Sequence, residues 1–157
     1  MSLRRAEPSD APALSEIAKA AKAHWGYPPA WLEAWEDELT LSPSYVSANA
    51  VFAAEDSGRL LGLVSLERQS EYSEIAHLWV RPDCMGHGVG AALVAQALRE
   101  AATRPGHAIR VISDPNAATF YERLGARRIG AQPAPMPGAP DRLLPILEFP
   151  APGQTIA

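Results

Sequence analysis

Apolar positions along this chain follow two periods, and the change from one to the other divides the sequence. In "SDAPALSEIAKAAKA" (Ser9–Ala23), Leu14, Ile17, Ala18 and Ala21 recur at three- and four-residue steps, the stripe of an amphipathic helix. Ser9 or Asp10 can cap it, and Pro12 falls in the first turn, where a missing N–H does no harm. "HWGYPP" breaks that period. Pro28–Pro29 can then open a second helix through "AWLEAWEDEL", with Trp31, Trp35 and Leu39 four residues apart on one face.

From Val51 the apolar residues gather into short runs. "VFAAED" and "RLLGLVSLERQ", joined by Asp56-Ser57-Gly58, predict a hairpin, and "EYSEIAHLWV" predicts another antiparallel strand. An Ala-rich helix over about Gly88–Ala102 follows, then "HAIRVIS" as a buried strand. "NAATFYERLG" reads as a short helix closed by Gly125. "ARRIGA" and "RLLPILEF" finish as strands around the Pro/Gly loop "QPAPMPGAPD". With "LRRAE" as the first strand, the order β-α-α-β-β-β-α-β-α-β-β predicts an α/β domain on one mixed sheet. No repeat or boundary interrupts it, so residues 1–157 are expected to form a single domain.

Composition narrows the function more than the fold. A net charge of −4 and the lack of any Lys/Arg run argue against nucleic acid or an anionic membrane as the main partner. The N-terminus has no apolar signal core and no stretch reaches membrane-spanning length. The one cysteine, Cys84, cannot form an internal disulfide, which fits a reducing, cytoplasmic setting. It also lacks a clear base partner, which counts against a covalent nucleophile.

The densest candidate chemistry is "CMGHGVG" (Cys84–Gly90), between a strand and a helix. Glycine lets backbone N–H groups approach an anion, and the first turn of a helix offers unpaired donors at a positive dipole end. Such a loop can hold a phosphate without a cationic side chain. A tight turn before a helix would look similar. So would a dinucleotide fingerprint, since Gly86-x-Gly88-x-x-Ala91 fits it and Asp114 ends the next strand. Against the dinucleotide reading, "RPDCM" separates the glycines from their strand, and a hairpin meander precedes it.

One helix and one strand later comes "NAATFYERLGARRIG". Together with "LWVRPDCMGHGVGAALV", in that order and spacing, it resembles the GNAT superfamily of N-acetyltransferases. The resemblance is good from about Val51 to Ile129. It implies a mixed, mostly antiparallel twisted sheet of about seven strands, flanked by about four helices and splayed between the fourth and fifth strands. It also implies acetyl-CoA as co-substrate and no metal.

Residue by residue, the family's phosphate loop falls on Met85, Gly88 and Gly90, with Gly86 a common choice between them. Backbone N–H groups of Gly86, His87, Gly88, Val89, Gly90 and Ala91 would hold the coenzyme A pyrophosphate. Met85 departs from the family's Gln or Arg, and His87 from its Arg or Lys. Leu78, Trp79 and Val80 would run beside the pantetheine arm, bonding to it as an added strand would. Asn116 and Phe120 match positions near that arm, and Tyr121 matches the family's proton donor to the departing thiolate.

Direct attack on a thioester needs a neutral amine, and a lysine-like amine is only ~0.04% neutral at pH 7, so a base helps. Glu74 is the first candidate for that base, on the strand before the loop, because its spacing from Met85 resembles that of a base in the histone-acetylating branch of the family. His77 is the alternative, on the opposite strand face if alternation holds. The family's acceptor wall points to "HWGYPPAWLEAW" and to "PAPMPGAPDR". There Trp25 and Tyr27 could cover an amine, while His24 and Arg142 could read a carboxylate. The tryptophans could equally be packing. The expected acceptor is a small amine or amino-acid-like metabolite, with a peptide or protein amine next. A non-catalytic acyl-CoA-binding sensor is the rival class. The resemblance allows a homodimer.

Overall fold

The computed structural model describes residues 1–104 and 107–150. Seven strands are present: β1 (Ser2–Arg5), β2 (Ala50–Asp56), β3 (Arg59–Arg68), β4 (Tyr72–Val80), β5 (Ala108–Ile112), β6 (Arg127–Pro133) and β7 (Leu143–Phe149). They form one sheet in the order β1-β2-β3-β4-β5-β7-β6. β4 and β5 are parallel, with Tyr72, Ser73 and Glu74 opposite Ala108, Ile109 and Arg110. β1–β2, β2–β3, β5–β7 and β6–β7 are antiparallel. The helices are α1 (Ala11–Ala23), α2 (Pro29–Ala34), α3 (Pro43–Ala48), α4 (Val89–Ala101) and α5 (Ala118–Arg123). The mixed sheet agrees with expectation. The helix count exceeds it by one.

That extra helix is α3. Ser42 caps it by accepting the Tyr45 N–H at 3.0 Å, and Pro43 occupies its first turn. α2 is shorter than the periodicity implied. It stops at Ala34, yet Trp35 N–H still reaches the Trp31 carbonyl and Leu39 N–H the Trp35 carbonyl, each at 3.0 Å. The four-residue spacing thus survives as a string of turns rather than as continuous helix.

The chain forms two compact units, residues 1–66 with 77–100 and residues 67–76 with 101–157, so β4 contributes to both. In the first unit Ala50 to Ala54 are buried without interruption, the signature of a strand covered on both faces. Leu14, Val51, Leu63, Val64, Leu93 and Val94 make its core. Gly62 is required there by close approach. A Cβ at this position would lie 2.7 Å from the Trp79 carbonyl oxygen and 3.1 Å from Leu93 Cδ1. Arg4 ties the edge strand down, bonding Asp10 at 2.8 Å and Glu55 at 3.1 Å.

In the second unit, buried Ile109 and Val111 face Phe149 and Leu147 in register. On the opposite face Arg110 bonds Glu148 at 2.9 Å and lies 4.5 Å over the Tyr72 ring. Gly125, at φ 108°, ends α5, where Ala126 N–H donates back to the Tyr121 carbonyl at 3.1 Å.

Candidate active site

The glycine loop belongs to the first unit. Its entry is fixed before the glycines begin. Arg81 N–H bonds the Leu61 carbonyl at 2.8 Å, and Pro82–Cys84 form one 3₁₀ turn. Asp83 clamps that turn. Its carboxylate meets Arg59 of β3 at 2.5 Å and Arg81 at 3.2 Å, and these guanidiniums hold it well below the usual range, at about 2. Gly86 and Gly88 then sit at φ 81° and 83°, where a side chain would be strained although the space around them is open. Gly86, His87 and Gly88 are exposed, whereas Val89 is buried. The Gly88 carbonyl accepts from Ala92 at 3.1 Å, so the helix starts at once. Val89, Gly90 and Ala91 therefore supply the N–H groups of its first turn, which have no acceptor within a helix.

Cationic groups do stand beside this loop. They are Arg59 and Arg81, spent on Asp83, a linkage that sequence reading missed because Arg59 lies in another strand. Cys84 Sγ also lies 3.6 Å from Asp83 Oδ1.

The same unit gathers aromatic side chains. Tyr27 stacks on Trp31 at 5.7 Å, and Trp35 meets both rings edge-on at 5.0 and 5.8 Å. Lys22 of α1, only 9% exposed, places its ammonium 4.3 Å from Trp35, 5.0 Å from Tyr27 and 6.0 Å from Trp79. Tyr27 thus already faces a cation of its own chain. Trp25 stands apart at 41% exposure, edge-on to exposed His24 at 5.6 Å. Lys22 was missed by sequence reading. The signal was present: it follows Ala18 by four residues, on the stripe facing the core.

On β4, His77 and Trp79 share a strand face, and Trp79 Nε1–H donates to His77 Nδ1 at 2.9 Å. Tyr45 of the unforeseen α3 meets the His77 ring edge-on at 5.7 Å, and its hydroxyl bonds Ser65 at 2.9 Å. Leu78 and Val80 alternate with them, partly exposed.

The second unit holds Glu74, Asn116, Phe120, Tyr121 and Arg142. Burial raises the Glu74 carboxyl above its ordinary value, and the Glu67 charge adds to the shift. This brings a base closer to the range where it can both exist ionised and accept a proton. Tyr121 is 5% exposed, and burial followed by the Asp114 charge pushes its phenol further above its ordinary value. It is an acid that stays protonated. Phe120 packs edge-on against it at 5.2 Å. Asn116 does not cap α5; its Nδ2 and backbone N–H both donate to Asp114 Oδ1, at 2.9 and 2.8 Å. Arg142 Nη1 reaches the Ala134 carbonyl at 3.4 Å within its own hairpin. Among the described residues no cluster of three or more His, Cys, Asp or Glu side chains could hold a metal ion, and no helix is long and apolar enough to cross a membrane.

Solved structures share this fold. A GCN5-related N-acetyltransferase from Rhodopseudomonas palustris superposes with a TM-score of 0.76 at 21% identity, covering 95% of this chain and 94% of that one. PaiA N-acetyltransferase from Thermoplasma acidophilum, solved with coenzyme A, gives 0.77 at 16% identity over 95% and 98%. The ribosomal-protein-S18-alanine N-acetyltransferase from Escherichia coli gives 0.72 at 18% identity over 99% and 98%. No curated protein sequence matches. A family profile, the acetyltransferase (GNAT) domain, matches residues 14–134, taking in the glycine loop, Glu74, His77 and Tyr121. The chain belongs to the GNAT acetyltransferase family.

Proposed function

We propose that this chain moves an acetyl group from acetyl-CoA to the primary amine of a small, amino-acid-like acceptor by direct attack. The observation that carries the reading is the loop, with Gly86 and Gly88 at positive φ leading directly into a 13-residue helix. Glycines at positive φ can turn neighbouring N–H groups toward an anion, and the first turn of α4 adds unpaired donors at a positive dipole end, which suits a pyrophosphate. PaiA, of the same fold, was solved with coenzyme A, and this supports the assignment. Met85 and His87 leave the backbone of the loop to bind the anion.

In this scheme Leu78–Val80 bond the pantetheine arm as an added strand would, and Asn116 and Phe120 are assigned to the same arm. Glu74 takes a proton from the attacking amine, directly or through water. The new C–N bond forms as the C–S bond breaks, and Tyr121 gives its phenolic proton to the thiolate. A phenolic pKa raised by burial keeps Tyr121 protonated at neutral pH, and it also makes the phenol a weaker acid than free tyrosine. Trp25, Tyr27 and His24 in the first unit and Arg142 in the second are assigned to binding the acceptor. A peptide amine is the second reading, favoured by the likeness to the alanine N-acetyltransferase of ribosomal protein S18.

Calorimetry tests the loop. Gly88→Val demands a side chain at φ 83° and is expected to weaken acetyl-CoA binding by at least about tenfold, with His87→Ala changing it a few-fold at most. Equal losses in both variants would make His87, not the backbone, the anchor.

A further inference from the structure

We infer that Trp79 is a positioning residue: its indole fixes His77 in the neutral Nε2–H tautomer, so that His77 serves acetyl transfer as a hydrogen-bond donor and not as the base. The assignment of tautomer rests on geometry alone. Its use in catalysis rests on the function proposed above.

An indole nitrogen can only donate, because its lone pair belongs to the ring. Trp79 Nε1 lies 2.9 Å from His77 Nδ1, so Nδ1 must present a lone pair. In a neutral imidazole the one proton then sits on Nε2. Adding a proton at Nδ1 would set two N–H groups against each other. Tyr45 of α3 meets the ring edge-on at 5.7 Å, its hydroxyl bonded to Ser65 of β3 at 2.9 Å.

A base needs an unshared lone pair with room for the proton it takes. In His77 the only bare nitrogen is the one Trp79 covers. Whatever group meets Nε2 meets a donor. This leaves Glu74 as the base and lets His77 polarise an oxygen or orient the acceptor. The strand makes the arrangement possible, since residues two apart stand on one face. "HLW" in the sequence carries the pair, although nothing in that spacing alone requires the bond.

The tautomer is read directly from nitrogen chemical shifts of the histidine rings in ¹⁵N-labelled protein at pH 8, with His77→Gln identifying the signal. The expected result is Nε2–H for His77. In Trp79→Phe both tautomers are expected, with protonation at higher pH than in wild type. Nδ1–H in the wild-type protein overturns the inference, as does a Trp79→Phe protein with unchanged tautomer and titration. If Trp79→Phe does not fold, the wild-type shifts still decide.

Activity is a separate readout. Gln places an N–H donor where Nε2–H was, whereas Asn places one only near Nδ1. His77→Gln should keep at least about a fifth of wild-type kcat while His77→Asn loses ten- to a hundredfold. Equal loss in both, together with disappearance of the acidic limb of the pH profile, would make His77 the base. Failure of the proposed function would appear instead as no acetyl transfer in any form, with the nitrogen shifts unaffected.

Discussion

At the scale of single residues, burial raises the pKa of both groups asked to move protons, which brings Glu74 closer to a working base and keeps Tyr121 protonated while weakening it as an acid. Glu74 is half-buried near Glu67, and folding raises its carboxyl above the ordinary 4.5. Such a group binds its proton more tightly folded than unfolded. It therefore costs stability above its folded pKa, and the cost fades as pH falls toward 4.5 and is gone below it. Glu74→Gln removes that cost. The expected outcome at pH 7 is a kcat/KM lowered by about 10–100-fold, partly restored at high pH, with a melting temperature no lower than wild type. Paired melting and kinetic measurements check this, and parallel loss of both would make Glu74 structural. Tyr121→Phe removes one hydroxyl from a buried phenol. It should lower kcat by roughly 10–1000-fold and leave coenzyme affinity within a few-fold, as steady-state kinetics and calorimetry would show.

At the scale of elements, what the sequence made legible was what repeats. The strands from Val51 onward and the helices α1 and α4 announced themselves through their apolar period, and the glycine loop through its composition. Two elements were less visible, for physical reasons. α3 is six residues long, too short for a periodic stripe, and its only local sign was Ser42–Pro43, a cap followed by a first-turn proline. Trp31, Trp35 and Leu39 kept helical spacing where the chain had already passed from helix into turns. The site was legible in its residues but not in their partners. His77 and Glu74 could be named, yet the bond from Trp79 to His77, the cage around Lys22 and the clamp of Asp83 on Arg59 depend on contacts that spacing cannot give. Gly62 offers a test at this scale. Its missing Cβ lets β3 approach the Trp79 carbonyl, so Gly62→Ala must push that carbonyl away from a 2.7 Å contact. Destabilisation of about 1–3 kcal/mol is expected by denaturant unfolding, together with a raised KM for acetyl-CoA, because the displaced strand end carries Leu78–Val80.

At the scale of the whole molecule, the family fold supplies a strand and a glycine loop for one substrate and leaves the other to be set by side chains particular to this chain. His24, Trp25 and Tyr27 of the first unit and Arg142 of the second are the residues that the proposed function assigns to that substrate. In the proposed function these parts carry out acetyl transfer from acetyl-CoA to an amine. The most direct measurement is release of free coenzyme A thiol across a panel of amines, amino acids and short peptides, with acetylated product identified by mass. The expected release depends on the amine, is matched by product one for one, is strongest with small amino-acid-like acceptors and falls by roughly 10–1000-fold in Tyr121→Phe. Acetyl-CoA that binds by calorimetry, yet releases thiol no faster with any amine than without one, would contradict it and make the chain a coenzyme-binding sensor.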